Sequence, residues 1–451
     1  MNTSLITKYN RAVPRYTSYP TVPHWQSEIP TQDSWLTSVK EAYNESPGIS
    51  LYIHLPFCEA LCTYCGCNKR ITKNHKVEQP YIDAVLKEWA IYRDTFEGKP
   101  IIKEIHLGGG TPTFFSASEL DRLISSILAD VEVADSYEFS FEAHPNNTTF
   151  DHLTKLYQLG FRRISIGVQD ISPNILKAIN RQQTVDEVKV LTEYWRSLEN
   201  TTVNYDIIYG LPFQKPVNII DTVNFIAENL PDRIAFYSYA HVPWKSASQR
   251  AFTIEDVPTG EFKSDLYEIG RELLIQQGYE AIGMDHFCLP EEALNQSFKQ
   301  GKMHRNFMGY TPNYTKCSIA LGASSIGDSW SMYVQNEKHI DTYQEIVNSG
   351  RLPIIKGHQL TKTEMLMRQH ILNLMCKDKT EWPSSISKDA ISISPFLCYL
   401  DELVEDGLVK YTSNTIEVTP AGKYFIRNIC AAVDPIFQTS SSQNPMFSKA
   451  I

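Results

Sequence analysis

The chain lacks a long apolar segment, an excess of positive charge and an even number of cysteines. It has no run of about 18 apolar residues, and its N-terminal "MNTSLITKYNRAVPRY" has no apolar core of signal-peptide length. We therefore expect neither membrane spanning nor secretion. Nine cysteines are present, and five of them are far apart in sequence, so we expect a reducing cytoplasm rather than a disulfide framework.

A net charge of −10 at pH 7 argues against nucleic acid as a partner. An anionic substrate would need a local group of cations that acts against this overall field. The composition, 42% hydrophobic and 21% charged, is that of an ordinary globular protein. At 451 residues, we expect one large domain plus a smaller one.

Short apolar runs alternate with amphipathic stretches from about residue 48 to residue 287. The candidate strands are "ISLYIHL", "IKEIHLGGG", "YEFSFEAHP", "RRISIGVQD", "TTVNYDIIYGLP", "RIAFYSYAHVP" and "EAIGMDHF". After the second strand, Ser116 is a candidate helix N-cap with Glu119 three residues on. This alternation predicts an α/β fold with a full or partial (β/α) barrel. Polar or glycine-rich signals follow six successive strands, at the end where such barrels carry their chemistry.

The sequence divides into three segments. Residues 1–45 are rich in proline, tyrosine and arginine, and we expect an extended arm. Residues 46–355 form the predicted barrel domain with a C-terminal extension. Residues 356–451 show a helix, hairpin and helix pattern typical of a small winged-helix module. That module has no strong basic stripe, which favours a packing role over DNA binding.

Four cysteines lie within ten residues in "YIHLPFCEALCTYCGCNK". Cys58, Cys62 and Cys65 form a C-x3-C-x2-C pattern, and Cys67 follows. Structural zinc usually needs two pairs of ligands well separated in sequence, and no distant partner pair is evident. A redox C-x-x-C pair would leave Cys58 unexplained. Three thiolates from one short loop can instead ligate a [4Fe–4S] cube and leave one iron open.

This loop closely resembles the signature of the radical S-adenosylmethionine (SAM) superfamily, and Tyr64 is part of the resemblance. Nearly the whole chain resembles the oxygen-independent coproporphyrinogen III oxidases, through "RYTSYPT", "YIHLPFC", "CGCNK", "HLGGGTPT", "SIGVQD", "NRQQT", "DIIYGLP", "YAHVP", "GMDHF" and "HRNFMGYT". The resemblance implies a 5′-deoxyadenosyl radical that starts the removal of two propionate carboxyls from coproporphyrinogen III, giving protoporphyrinogen IX. The chemistry is consistent, because an unactivated propionate β-carbon has no acidic proton for a general base to remove.

The resemblance also implies roles for individual residues. Cys58, Cys62 and Cys65 would bind the cluster, with Cys67 as an unligated neighbour. The positions that match contacts to the cluster-bound SAM are Tyr52, Gly109, Glu142 and Ile326. The positions that match a second SAM molecule are Tyr64, Gly110, Thr111, Gln169, Arg181, Asp206 and Ala240. Glycine suits such sites because a backbone without a Cβ can approach a ligand closely.

A tetracarboxylate substrate needs cations, and the candidates are Arg11, Arg15, His304 and Arg305. We expect the arm to lie over the barrel mouth, with Tyr16 and Tyr19 stacked on the tetrapyrrole, because its prolines oppose a helix. Deleting residues 1–25 is then expected to spare iron content and SAM cleavage while product formation is lost.

The chain departs from the family pattern at three positions. His144 stands where an aspartate is common, and Cys317 and Ala320 replace an aspartate and a glycine. Two alternatives stay open: a heme-binding chaperone of the same superfamily, and a radical enzyme that modifies heme. The "RYTSYPT", "CGC" and "GVQD" motifs favour the oxidase. We expect a monomer that works with an unidentified electron donor and acceptor.

Overall fold

The computed structural model describes residues 3–25, 28–243, 247–383, 394–439 and 447–449. The strands in the described ranges are β1 (Ile49–Leu55), β2 (Phe57–Cys58), β3 (Arg70–Ile71), β4 (Ile101–Gly109), β5 (Glu132–Ala143), β6 (Arg163–Gln169), β7 (Thr202–Tyr209), β8 (Arg233–Ser238), β9 (Glu280–Ile282), β10 (His286–Cys288), β11 (His304–Asn306), β12 (Gly309–Thr311), β13 (Cys317–Leu321), β14 (Ile326–Asp328), β15 (Met332–Asn336), β16 (Ile354–Gln359), β17 (Lys379–Glu381), β18 (Val409–Tyr411) and β19 (Thr415–Val418).

The α-helices in the same ranges are α1 (Thr3–Tyr9), α2 (Gln32–Glu45), α3 (Glu78–Arg93), α4 (Ala117–Ala129), α5 (Phe150–Gln158), α6 (Pro173–Ala178), α7 (Val185–Ser197), α8 (Pro216–Asn229), α9 (Gly260–Gln276), α10 (Ala293–Lys299), α11 (Ile340–Asn348), α12 (Lys362–Lys377), α13 (Asp401–Glu405), α14 (Ile426–Ala432) and α15 (Pro435–Thr439).

A twelve-stranded sheet organises the barrel region. Seven of its strands run parallel, in the order β13, β1, β4, β5, β6, β7 and β8. In the described chain the two ends of this sheet do not pair with each other, so the predicted barrel is a partial one. Strand β1 is buried at all but one of its positions, because helices cover its outer face. The C-terminal ends of the parallel strands therefore meet at one edge.

Helix α4 illustrates how the sequence specifies the covering layer. The Ser116 side chain accepts a hydrogen bond from the Glu119 backbone N–H, which confirms the predicted N-cap. The apolar side chains recur at helical spacing and are fully buried against the sheet: Leu120, Leu123, Ile124 and Ile127. Each such buried side chain contributes about 1.5–3 kcal/mol relative to exposure.

Two expectations about the sheet are wrong. The stretch "EAIGMDHF" forms the short antiparallel strands β9 and β10 instead of a parallel barrel strand. Gly283 has φ +60° and reverses the chain there, and an added Cβ would lie 2.3 Å from the Tyr310 ring. The expected boundary at residues 355/356 falls inside β16, which pairs with β15 and extends the large sheet. The sheet therefore continues to Gln359.

The arm is not wholly extended, because residues Thr3–Tyr9 form α1 and residues Gln32–Glu45 form α2. Its prolines, Pro14, Pro20, Pro23 and Pro30, all lie between these two helices. Five arm side chains enter a hydrophobic cluster shared with the C-terminal module: Ile6, Tyr9, Val13, Tyr16 and Tyr19. In that module, β17, β19 and β18 form an antiparallel sheet. Among the described helices, none combines the length and apolarity needed to cross a bilayer.

Candidate active site

The cysteine loop begins directly after β1, at the C-terminal edge of the parallel sheet. Its base is closed by two backbone hydrogen bonds, from Arg70 N to Pro56 O (2.7 Å) and from Thr72 N to Cys58 O (2.9 Å). A turn bond from Cys65 N to Cys62 O (3.2 Å) brings these two thiols to one side of the loop. The loop is thus fixed to the barrel where catalytic groups of such folds lie.

The segment after α6 also holds the cysteine loop. Thr63 N donates to Ile179 O (3.1 Å), and the Asn180 side chain donates to Leu61 O (2.7 Å). Gln249 donates to Tyr64 O (3.3 Å) and to Ala240 O (3.2 Å). Thr63 and Tyr64 are therefore anchored from two directions.

Each of the three predicted cluster ligands has a distinct environment. The Cys58 thiol is buried and accepts a hydrogen bond from Thr111 Oγ1 (3.3 Å). Cys62 Sγ lies 3.7 Å from Arg181 Nη1. The hydrogen bond from the Cys67 thiol lowers the pKa of Cys65, and the Lys69 ammonium lowers it further. These contacts favour the thiolate at Cys65, which is the form that binds metal.

These thiols suit a cluster better than a single ion. In the described ranges, no three side chains of the types His, Cys, Asp and Glu converge as ligands of one metal ion would. A [4Fe–4S] cube requires no such convergence, because each thiolate binds a different iron.

A glycine cradle lies beside the thiols, at the end of β4. Gly109 has φ +115°, and an added Cβ would lie 2.6 Å from His54 Nδ1. At Gly110, an added Cβ would lie 2.8 Å from the Pro56 carbonyl carbon. His54 is held by the Tyr52 hydroxyl (3.0 Å) and by Asn68 O (2.9 Å). Glycine is required at both positions because His54 and the Pro56 backbone lie where a Cβ would be, and this packing holds the end of β4 against the cysteine loop. Three thiols carried by that one loop fit a [4Fe–4S] cluster, and the Glu142 carboxylate next to Gly109 N is a polar group suited to SAM.

The sheet brings together the residues predicted to contact the cluster-bound SAM. Gly109 N donates to Glu142 Oε2 (3.2 Å). Tyr52 pairs with Ala320 of β13, and the pairing of Ser318 with Asp328 places Ile326 level with Ala320. Ile326 and Tyr52 are therefore about 10 Å apart, two strands across. All four predicted positions lie around the mouth of the sheet.

Arg181 is the centre of the second predicted group. Its guanidinium donates to Tyr64 Oη (3.2 Å), Gly167 O (2.5 Å) and Gln183 Oε1 (2.7 Å). Gln169 lies two residues after Gly167 and has φ +66°, a strained backbone that turns its side chain at the strand end. Thr111 and Gly110 reach this region from the cradle, and Ala240 reaches it through Gln249.

Asp206 lies deeper, on the inner face of β7. It lines a cavity of about 150 Å³ inside the barrel, with the charged neighbours Glu104, His106, Glu138, Glu142, Arg163, Arg233 and His286. Burial raises the pKa of Asp206 to about 6, and the negative charge of Glu142 adds to this effect. Ser165 and Asn204 donate hydrogen bonds to its carboxylate (both 2.9 Å). The buried acceptor Asn204 Oδ1 has no hydrogen-bond partner in the described structure and faces this polar interior.

Of the carboxylates and histidines that line this cavity, Glu142 and Asp206 were predicted as site residues, and Glu104, His106, Glu138 and His286 were missed. The strand sequences contain a pattern that could have identified them. The stretches "KEIHLGG" and "EFSFEA" place a polar residue at every second position of strands that are otherwise apolar. His54 stands inside a recognised motif, yet only the structure shows it against Gly109. Gln249 lies in no motif, and no sequence signal would have identified it.

The predicted substrate cations lie in different places. Arg11 forms a peripheral ion pair with Glu402 (3.6 Å), outside the barrel. His304 lines a separate cavity of about 450 Å³ that includes Lys103, from the N-terminal end of β4. Arg305 donates to the carbonyls of Arg15 (3.2 Å) and Tyr16 (2.5 Å), so it fixes the arm. Of the four candidates, Arg15 stays closest to the C-terminal edge.

The predicted stacking tyrosines are also elsewhere. Tyr16 is 2% exposed and Tyr19 is 3% exposed, both inside the cluster shared with the C-terminal module. The Tyr16 hydroxyl donates to Asp434 (3.0 Å). The prediction that these two rings stack on a substrate is therefore wrong, because the protein already covers their faces.

The three departures from the family pattern have different surroundings. His144 follows β5, and burial and the Arg181 charge lower its pKa to about 3, so it is neutral at pH 7. Cys317 is fully buried in the core next to Ile49. Ala320 lies beside Tyr52 on the neighbouring strand, and the Tyr52 ring stacks on His106.

Comparison with known proteins places this site in a family. Residues 52–226 match the model of the radical SAM superfamily. The chain is 34% identical, over 99% of its length and 98% of the relative, to the oxygen-independent coproporphyrinogen III oxidase of Escherichia coli. It is 32% identical to the oxygen-independent coproporphyrinogen III oxidase of Pseudomonas aeruginosa, over 99% of this chain and 98% of that one.

The chain belongs to the oxygen-independent coproporphyrinogen III oxidase family. The solved structure of coproporphyrinogen III oxidase (HemN) from Escherichia coli, described as a radical SAM enzyme, agrees at a TM-score of 0.88 with 33% identity. That match covers 94% of this chain and all of the other. Membership of the radical SAM superfamily brings a [4Fe–4S] cluster and SAM as the cofactors.

Proposed function

We infer that this chain catalyses the oxygen-independent oxidative decarboxylation of two propionate side chains of coproporphyrinogen III, giving protoporphyrinogen IX in heme biosynthesis. One observation carries this: three thiols and a glycine cradle meet at the C-terminal edge, in a chain that matches these oxidases along its whole length. The electrons require an external donor and acceptor, and we propose a monomeric cytoplasmic enzyme.

We propose that Cys58, Cys62 and Cys65 hold the cluster, and that Tyr52, Gly109, Glu142 and Ile326 surround the SAM molecule bound to it. When bound and reduced, the cluster supplies the electron that cleaves SAM into the radical which takes the propionate hydrogen. The chain supplies position: the cysteine loop is fixed directly after β1, and the Glu142 carboxylate, which accepts a hydrogen bond from Gly109 N, can accept hydroxyl or ammonium hydrogens of SAM.

We further propose a second SAM site formed by Tyr64, Gly110, Thr111, Gln169, Arg181, Asp206 and Ala240. Two decarboxylations need two radicals, which makes a second molecule chemically reasonable. The unpartnered Asn204 Oδ1 beside Asp206 supports a polar ligand there. The contact between Arg181 and Cys62 means that replacing Arg181 would also change the cluster, so Asp206 gives the cleaner test.

We expect Asp206→Asn to stabilise the ligand-free protein while it reduces SAM binding from two molecules per chain to one. The folded-state pKa of Asp206, about 6, lies above that of an exposed aspartate, so ionisation of Asp206 opposes folding above pH 6. Removing the charge should add about 1–2 kcal/mol at pH 8, and this gain should vanish below pH 4. Thermal melts at both pH values and equilibrium dialysis of SAM measure the two effects.

The matched control is Glu138→Gln, which removes a carboxylate from the same cavity. Glu138 is paired with Arg163 (2.7 Å), and the positive charges around it lower its pKa despite burial. This variant should therefore lose stability at pH 8. Two SAM molecules bound to Asp206→Asn would contradict the role of Asp206 at the second site.

An anaerobic assay tests the function directly. Protein with its cluster, a chemical reductant, SAM and coproporphyrinogen III should yield protoporphyrinogen IX and 5′-deoxyadenosine, separated by chromatography after oxidation. The same preparation should be mixed with heme in parallel. Tight heme binding or heme modification without porphyrinogen turnover would overturn the proposal in favour of a chaperone or a heme-modifying enzyme.

A further inference from the structure

A cavity of about 450 Å³ lies between the barrel and helix α12 of the C-terminal module. The barrel contributes Lys103 and Ser136, near the N-terminal ends of β4 and β5, and α12 contributes Asn373 and Lys377. The volume lies within the range of small-molecule sites, about 300–1,000 Å³. Gly109 lies six positions along β4 from Lys103, about 20 Å at the rise of a strand. A ligand in this cavity is therefore remote from the cysteine loop.

Three lysines line this cavity: Lys103, Lys302 and Lys377. In the described part of the chain none of the three forms an ion pair, and no aspartate or glutamate lines the cavity. Lys103 is partly buried, and its stem crosses Gly48, where an added Cβ would lie 2.5 Å from Lys103 Cε. The packing of its stem therefore positions this lysine without a countercharge.

The imidazole of His304 supplies independent evidence for a ligand. His304 is 8% exposed and lines the same cavity, and neither ring nitrogen has a hydrogen-bond partner among the described residues. Its ring packs edge-on against Tyr314, with the ring centroids 4.8 Å apart. Burial and the positive charges of Arg368 and Lys377 lower the pKa of His304 to about 3, so the imidazole is neutral at pH 7. A neutral imidazole offers one donor and one acceptor, and buried polar groups normally have partners.

The lining indicates a ligand that combines several negative charges with a flat polar ring. Lysine ammonium groups bind phosphate as point charges, whereas arginine is preferred for bidentate binding of carboxylates, and no arginine lines the described walls. Tyr314 is 40% exposed, so part of its ring is open to a ligand. The Gln369 amide and the His304 imidazole can exchange hydrogen bonds with the polar edge of a ring.

We propose that this cavity binds a nucleoside diphosphate or triphosphate, with its phosphates at the three lysines and its base beside His304 and Tyr314. The ligand is not a substrate of the radical reaction, because the cavity opens at the opposite end of β4 from the cysteine loop. Since the barrel and α12 both contribute residues, the bound nucleotide would hold the C-terminal module against the barrel.

Calorimetric titration with ADP and with ATP tests the proposal. The cluster-loaded protein should first be saturated with SAM, so that sites for an adenine ring in the active site are already filled. We expect one nucleotide per chain, affinity that falls as salt rises, and a melting temperature several degrees higher with nucleotide bound. Adenosine, which lacks the charges, and tripolyphosphate, which lacks the base, should each bind about tenfold more weakly or less.

Lys103→Met removes one positive charge and keeps an unbranched stem over Gly48. We expect the affinity for ATP to fall about tenfold, as for loss of one hydrogen bond to a charged group. Lys99→Met is the matched control, because Lys99 lies just before the same strand and donates to Ala129 O (2.8 Å), outside the cavity. This control should keep the wild-type affinity.

His304→Phe separates ligand recognition from folding. Phenylalanine keeps a ring against Tyr314 and removes two nitrogens that have no hydrogen-bond partner among the described residues. The melting temperature of the nucleotide-free protein should therefore not fall, while the affinity for ATP should fall about tenfold.

The inference is overturned if neither nucleotide binds at about 1 mM, if SAM abolishes nucleotide binding, or if Lys103→Met and His304→Phe both keep the wild-type affinity. Coproporphyrin III is titrated in parallel. Binding of this tetracarboxylate that depends on Lys103, without binding of either nucleotide, would also overturn the inference and assign the cavity to carboxylates. None of these measurements involves turnover, so failure of the proposed oxidase function leaves the test intact.

Discussion

Replacing Cys58, Cys62 or Cys65 by alanine should remove the iron and all porphyrinogen turnover. The wild type, purified without oxygen, should be brown and hold about four irons per chain. The three thiols lie in one loop whose base is closed by backbone hydrogen bonds at Pro56 and Cys58, so each thiol is held at its own place in the loop. Iron analysis and the visible absorption spectrum measure the loss.

Cys67→Ala is the matched control in the same loop. Cys67 is exposed, and its contact is a hydrogen bond to the Cys65 thiol, so the variant should keep iron with a small change in the cluster spectrum. Cys317→Ala controls for loss of a buried thiol in the core. Retention of a full cluster by Cys62→Ala, or a colourless wild type with stoichiometric zinc, would contradict the assignment.

The sequence predicted the barrel strands well because each carries several apolar residues that pack under the covering helices and is followed by an amphipathic helix. Six of the seven candidate strands lie where the apolar runs indicated, from Ile49–Leu55 to Arg233–Ser238. The seventh failed at Gly283, whose turn depends on contact with Tyr310, a residue 27 positions away. Helix α1 was missed because so short a helix is stabilised by tertiary packing rather than by its own propensity.

The site residues differ in the same way, because some follow from local sequence patterns and others depend on long-range contacts. The cysteine spacing and the glycines are local patterns, so sequence alone predicted the loop and the cradle. The packing of the arm depends on contacts between residues far apart in sequence, such as the hydrogen bond from the Tyr16 hydroxyl to Asp434, 418 residues away. No local pattern marks such a contact. The expected placement of Tyr16 and Tyr19 on the substrate failed for this reason, because both rings are buried in the cluster shared with the C-terminal module.

Deletion of residues 1–25 is the second large prediction, and the structure changes its expected outcome. The segment contributes five buried side chains to the cluster of the C-terminal module. At about 1.5–3 kcal/mol each, their loss removes on the order of 10 kcal/mol, which equals the total stability of many domains. We therefore expect the module to unfold at assay temperature. Loss of an extended arm would instead only uncouple SAM cleavage from product formation.

The barrel should survive this deletion, because its hydrophobic cluster includes none of residues 3–25. Iron content and reductive cleavage of SAM should therefore stay within about twofold of the wild type. Protoporphyrinogen formation should fall below detection, since the arm and the packing of the C-terminal module are lost together. Calorimetry should show a barrel transition without the module transition, and limited proteolysis should cut first after about residue 360.

Arg11→Ala is the control for the deletion, because Arg11 belongs to the arm but forms only a peripheral ion pair with Glu402. Exposed pairs of this kind contribute about 0–1 kcal/mol, so turnover and melting should be nearly unchanged. Tyr16→Phe removes one buried hydroxyl, the donor to Asp434, and should destabilise the module by about 1 kcal/mol while product formation continues. Full turnover by the truncated protein would show that the arm takes no part in catalysis. Loss of iron on truncation would show instead that the arm supports the cysteine loop.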